Sequence, residues 1–402
     1  MSFLAVMRNL HDRGFPALVC LSQYPGAFRG CAFAVRGPPA RRKGNAMFTA
    51  TAHVPLSDPL PLIEALAGHL REQDVTLERQ GEALRARLSM GEALFRPATD
   101  GVEVEARAPD RSGMEEMVDF IASHLLEFCV TEHPVIRWTG AAEVGTLYAD
   151  FREMTVAGVA RLGDWRRFTL TGSDLARFAD PEAPYGRFHF PPEGMAPRWP
   201  KAGPDGLPLP VDPAWRPAVR RHAIRSVEPD AGVIELDILL HEGGGAGAEW
   251  ARWARKGDRC GLSGPETEPA VPALRAAENV TLAGDAAARP VIQRLLEVLR
   301  PDARGVVLLE GEGPPLENAP QAVQIRQVAA LLPALREAAD SGVLWAGAEA
   351  GAAQEIRLWL AEHPQVAGEV HDLWQRGVSA GNTNPARDFP AGAKWRPRGQ
   401  RV

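Results

Sequence analysis

Residues 279–313 read NVTLAGDAAARPVIQRLLEVLRPDARGVVLLEGEG. NVTLAGD is a short apolar run closed by Gly-Asp, AAARPVIQRLLEVLR carries apolar residues at helical spacing, and GVVLLEGEG is a second apolar run. A strand that is apolar along its length is buried on both faces, the habit of parallel sheets covered by helices. The alternation continues with AVQIRQV as strand, AALLPALREAADSG as helix, VLWAGAE as strand and GAAQEIRLWLAEHP as helix. It predicts parallel βαβ units in an α/β domain over residues 275–380, with ligands at the carboxyl ends of its strands.

Working toward the N-terminus, the period changes. Across residues 150–268 the runs VAGVARLGDWRRFTLTG, YGRFHFP, VRRHAIRSV and VIELDILLH are short, alternating or β-branched and bounded by Gly, Pro and Asp, which predicts an antiparallel β-barrel. The insertion PPEGMAPRWPKAGPDGLPLPVDPAWRP is too rich in Pro and Gly to be anything but loop. Residues 47–140 read as a small α+β domain: FTATAHV as strand, DPLPLIEALAGHLREQ as helix, several strands, then MEEMVDFIASHLLEFC as a helix with Met117, Ile121, Leu125 and Phe128 on its core face. His69 and His124 lie in these helices without an i, i+4 partner and read as structural residues rather than metal ligands.

At 402 residues the chain is long enough for two or three domains. A formal charge of -6 argues against nucleic acid as the main partner, and no apolar run is long enough to span a membrane. Cys20, Cys31, Cys129 and Cys260 form no C-x-x-C pair, so they read as buried or incidental thiols of a cytoplasmic protein, expected to be a monomer. Residues 1–46, which include GPPARRKGN and lack the order of a secretory signal, read as a disordered or mis-assigned extension ahead of Met47, and residues 381–402 as a flexible tail.

Barrel followed by parallel sheet is the order of the ferredoxin-reductase-like flavoenzymes, and the residues resemble one family among them, the siderophore-interacting proteins. VRRHAIRSVEPDAGVIELDILLH resembles that family's flavin strand, with Arg220 at its Arg position, His222 where it has Tyr, Ala223 where it has Ser or Thr, and His241 closing the run. HEGGGAGAEWARWARKGDRCGLSGP resembles the Gly-rich phosphate turn that follows, with Gly245, Ala248 and Trp250 in it. NVTLAGD and VLWAGAE resemble the nicotinamide-side strands, bearing Gly284, Asp285 and Glu349, with Ala286, Ala287 and Ala348 replacing residues usual in the family. HDLWQRG resembles the family's terminal motif with Leu373 in place of Tyr, and YGRFHFP its Lys-containing strand with Arg187 at the Lys position.

The resemblance runs from about Met154 to Gly377 and implies an FAD-dependent NAD(P)H:ferric-siderophore oxidoreductase. FAD would sit at Arg220, His222, Ala223, His241, Gly245, Ala248 and Trp250, the nicotinamide at Gly284, Asp285 and Glu349, and the anionic ferric siderophore near Arg187, Trp374 and Arg376. Arg187 and Arg376 read equally well as members of surface ion pairs. Two other readings stay open: a binding protein that keeps the fold without efficient turnover, and a general flavin reductase. The acidic segment GEGPPLENAP tilts the nucleotide toward NADH.

Overall fold

A computed structural model of the chain describes residues 47–72, 75–129, 132, 134–241, 245–339 and 342–376. The expected N-terminal extension and C-terminal tail lie outside the described residues. Three sheets organise the rest, one for each predicted segment.

The first sheet has the order β2-β3-β4-β5-β1-β6, formed by β1 (Phe48–Pro55), β2 (Thr76–Gln80), β3 (Ala83–Leu88), β4 (Gly91–Ala98), β5 (Gly101–Ala108) and β6 (Arg137–Thr139), all antiparallel. Helices α1 (Pro59–Glu72) and α2 (Arg111–Phe128) cover one face. Asp110 caps α2, its carboxylate accepting from Gly113 N at 2.8 Å. Met117, Ile121 and Leu125 are buried as the periodicity predicts, while Phe128 is only half-buried, edge-on to His69. His69 and His124 stand with ring centroids 5.2 Å apart, and His124 is bonded through Nδ1 to Phe120 O, the role of a structural histidine.

The second sheet has the order β10-β9-β13-β7-β8-β12-β11 and is antiparallel throughout: β7 (Arg152–Leu162), β8 (Trp165–Thr171), β9 (Tyr185–Phe190), β10 (Ala218–Ala223), β11 (Ser226–Glu228), β12 (Val233–Leu239) and β13 (Arg259–Glu266). Its two outermost strands, β10 and β11, are separated in the chain only by Ile224 and Arg225, so the sheet must curl until its ends meet. That closure is the predicted barrel. Phe168, Phe188, Phe190, Leu236 and Trp250 fill it, and α3 (Gly245–Trp253) plugs one side.

The third sheet is parallel, with the order β16-β15-β14-β17-β18: β14 (Asn279–Gly284), β15 (Arg304–Glu310), β16 (Ala322–Val328), β17 (Gly342–Glu349) and β18 (Val366–Trp374). Helices α4 (Val271–Ala276) and α5 (Arg289–Leu296) pack on one face, α6 (Leu331–Ala338) and α7 (Ala350–Glu362) on the other, each over its own apolar cluster. The chain first adds strands on one side of β14 and then crosses to the other. The point where the order reverses lies between the carboxyl ends of β14 and β17, and this is where such sheets bind ligands.

Candidate functional site

The crevice at that switch point is closed by one carboxylate. Asp285, just past β14, accepts from Ala287 N at Oδ1 (2.9 Å) and from Glu349 N (2.8 Å) and Trp374 Nε1 (2.7 Å) at Oδ2. One side chain thereby ties β14, β17 and β18 together. Burial pushes its pKa up, against the donors that hold its charged form. With this many donors on it, Asp285 works as a positioning residue that sets the crevice walls. Glu349 in turn caps α7 through Gly351 N (2.8 Å) and accepts from Arg376 N (3.1 Å), which anchors the chain just after β18. Gly284 is needed for closeness, because a Cβ there would lie 2.2 Å from the Ala288 Cβ.

Across the crevice stands the barrel. His241 follows β12 and places its ring 5.6 Å from that of Trp374, so two residues far apart in sequence meet between barrel and sheet. Ala223, at the end of β10, packs its methyl on the apolar cluster under α5, together with the buried Tyr185 of β9. Arg220 and His222 project from the other face of β10 toward α3. The His222 ring is edge-on to Phe188 and Phe190, and its Nε2 is shut off from solvent without a hydrogen-bond partner. A Cβ on Gly247 would sit 2.8 Å from that nitrogen, so the imidazole wedges against the first turn of α3. Burial, with Arg220 beside it, lowers its pKa to about 4.

The residues of α3 divide between approach and core. Gly245 opens the helix at φ +64° with no acidic residue in its first turn, and Arg220 adds a guanidinium nearby. Ala248 and Trp250, expected in the phosphate turn, are 2% and 1% exposed; Trp250 packs on Phe168 and Phe190 inside the barrel. Residues 242–244 of the Gly-rich turn lie outside the described residues. A helix N-terminus, a flanking Arg and glycines in place of side chains fit the diphosphate of a dinucleotide flavin, and the His241–Trp374 ring contact joins the end of β12 to β18 of the sheet.

Arg187 is not a free cation. It pairs with Glu266, which also takes Arg221 (3.0 Å), and the Arg221 guanidinium lies 3.3 Å above the Tyr185 ring. Tyr185 donates its hydroxyl to Glu268 (2.8 Å), and Glu268 faces His371 of β18 (3.3 Å). Sequence reasoning missed this chain of polar contacts; its signal was the acidic pair in GPETEP and the charged triplet Glu369, His371 and Asp372 inside the last strand.

Comparison with known proteins follows the same division. Residues 156–269 match the siderophore-interacting FAD-binding domain, residues 277–373 the siderophore-interacting protein domain, and residues 51–139 a domain described only as an uncharacterized protein conserved in bacteria. An uncharacterized protein of Mycobacterium tuberculosis is 40% identical over 118 residues, 29% of this chain and 41% of that protein. Ferric vibriobactin reductase ViuB of Vibrio cholerae is 30% identical over 152 residues, 36% of this chain and 52% of the reductase. The chain thus spans about half or less of the length of these curated relatives. A siderophore utilization protein from T. fusca is similar at 29% identity and a TM-score of 0.48, over 59% of this chain and 96% of that one. With both domains matched in order, the chain belongs to the siderophore-interacting protein family.

Proposed function

We propose that the chain is an NAD(P)H-dependent, FAD-holding reductase of ferric siderophores. The observation that carries this reading is that the barrel and the Asp285-braced switch point of the sheet meet where the His241 ring faces Trp374, whose indole is bonded to Asp285. The similarity to a ferric vibriobactin reductase supports the substrate class.

A bound flavin would supply the exchange between a two-electron hydride donor and a one-electron acceptor such as iron. The chain's own residues bind and orient. Arg220 and the first amides of α3 would hold the diphosphate; His222 props the β10 strand against that helix, and Ala223 sets the strand on the sheet domain. Gly284 and Glu349 border the nicotinamide side, with Asp285 holding their separation. Arg376 and the Arg187–Glu266–Arg221 group provide the charged approach for an anionic siderophore. Reduction weakens the hold of hard oxygen donors on the metal, and iron can leave. The loop after β15 carries Glu312 and Glu317, while Arg289 beneath it donates to the Gly311 and Pro314 carbonyls, which favours NADH over its 2′-phosphate analogue.

The test is an anaerobic absorbance experiment: protein with FAD, then NADH or NADPH, then a ferric siderophore. Bleaching of the flavin band and its recovery on adding the siderophore are expected. Buried or substituted positions at Ala223 and Ala248 favour the second reading, a binding protein without turnover, and a bound flavin that neither nucleotide bleaches would establish it.

A further inference from the structure

Between the barrel and the parallel sheet the linker after β13 passes beneath β18, and there Glu268, Glu369 and His371 converge. His371 Nε2 lies 3.3 Å from Glu268 Oε1 and 3.6 Å from Glu369 Oε2, and one ligand atom from each residue lies within 4.8 Å of the others. Two donors each ~2.1 Å from one ion stand ~3.0 Å apart at a right angle and ~3.4 Å apart at the tetrahedral angle. The first two separations are therefore already near those of a coordination sphere, and the half-exposed Glu369 side chain has room to close the third.

Three further observations point to a cation rather than to a simple ion pair. Glu268 is only 2% exposed, and its two oxygens are held by Tyr185 Oη (2.8 Å) and Ala270 N (3.2 Å), one donor each, which leaves each oxygen a further lone pair. His371 Nε2 is sealed from solvent and makes no aligned hydrogen bond, while the ring is stacked at 5.4 Å on Trp345, which is itself fully buried. Finally, three carboxylates (Glu266, Glu268, Glu369) gather about two guanidiniums (Arg187, Arg221), so carboxylates outnumber guanidiniums in the group.

We propose that Glu268, Glu369 and His371 form a binding site for one first-row divalent cation, of the kind that accepts mixed carboxylate and imidazole donors, such as Zn(II) or Fe(II). The site is separate from the Asp285 crevice and joins the interdomain linker to β18. It does not require the reductase reading, because its ligands touch neither Arg220 nor α3. An ion there bridges two domains, so its binding adds to the stability of the folded chain.

The experiment uses tag-free, full-length protein freed of metal by chelation. Co(II) is titrated while its visible d–d absorption is followed, with parallel calorimetric titrations of Zn(II) and, under anaerobic conditions, Fe(II). One equivalent is expected to bind, with affinity at least 100-fold weaker in His371→Gln and at least tenfold weaker in Glu369→Gln; a preference for Zn(II) marks a structural ion, a preference for Fe(II) a resting place for reduced iron. Far-ultraviolet circular dichroism reports folding of each variant. If His371→Gln does not fold, Glu369→Gln, on a half-exposed side chain, decides alone. Absence of saturable binding to the folded wild-type chain, or equal binding by wild type and Glu369→Gln, overturns the site and makes His371 an ion-pair partner only.

Discussion

His222 holds its imidazole against two phenylalanine edges and a helix terminus, and such a ring resists taking a proton. Its folded pKa, lowered to about 4 by burial and Arg220, lies below the ordinary 6.5. A depressed pKa contributes stability that is complete above the unfolded value and lost as pH falls through the folded one, so about 2 to 3 kcal/mol should disappear between pH 7 and pH 4. Urea unfolding of wild type and His222→Gln across that window should show the gap between them narrowing by this amount on acidification; a constant gap would refute the assignment. Asp285 allows a second residue-scale test. In Asp285→Asn one carboxylate oxygen becomes an N–H donor facing another donor, at about 1 to 3 kcal/mol, and the altered seat of Trp374 should shift the indole emission. Arg187, Arg220, Asp285, Glu349 and Trp374 could be singled out from the sequence. Their partners were not, because Glu266 reaches Arg187 and Trp374 reaches Asp285 only through strand pairing and crossovers that bring distant segments together.

At the scale of elements, the parallel strands were the easiest to read, since β14 is buried at every position but its first and so appears as an unbroken apolar run. The barrel strands were read from alternation, and the loop between β9 and β10 from its prolines and glycines; there the structure adds only bridges, Ala202 with Pro208 and Leu147 with Lys201, and a short 3₁₀ turn at Pro213–Trp215. What alternation does not convey is which face of an element meets a ligand. Ala248 and Trp250 share a helix with Gly245, yet both side chains are buried, Trp250 within the barrel core. The approach of α3 to β10 is testable at Gly247. Alanine there gains helix propensity but thrusts a methyl 2.8 Å from His222 Nε2 and 3.3 Å from Phe190. Gly247→Ala should weaken FAD binding at least fivefold in a fluorescence titration, whereas Gly68→Ala, at a site with nothing within 4 Å, should leave it unchanged.

Across the whole molecule the three sheets are joined by specific polar ties. Arg225, 6% exposed, spans Asp237 and Glu235 of the barrel and Glu317 of the sheet domain, and Arg294 of α5 donates to the Phe178 and Ala179 carbonyls. The N-terminal domain is held by the β9–β10 loop, where Trp138 Nε1 donates to Asp205 O (2.9 Å) and Gly206 lies so close that a Cβ would meet Val118 at 2.3 Å. Gly206→Leu should separate that docking from the rest, turning a single calorimetric unfolding transition into two while flavin binding persists; a single transition at unchanged temperature would count against the contact. The strand order has one more consequence. β14 is bonded on both sides, while β16 ends the sheet with most of its residues exposed. Amide hydrogens of residues 280–284 should therefore be among the last to exchange with deuterium and those of β16 among the first. The floor of the crevice stays shut on the timescale over which the far margin of the same sheet breathes.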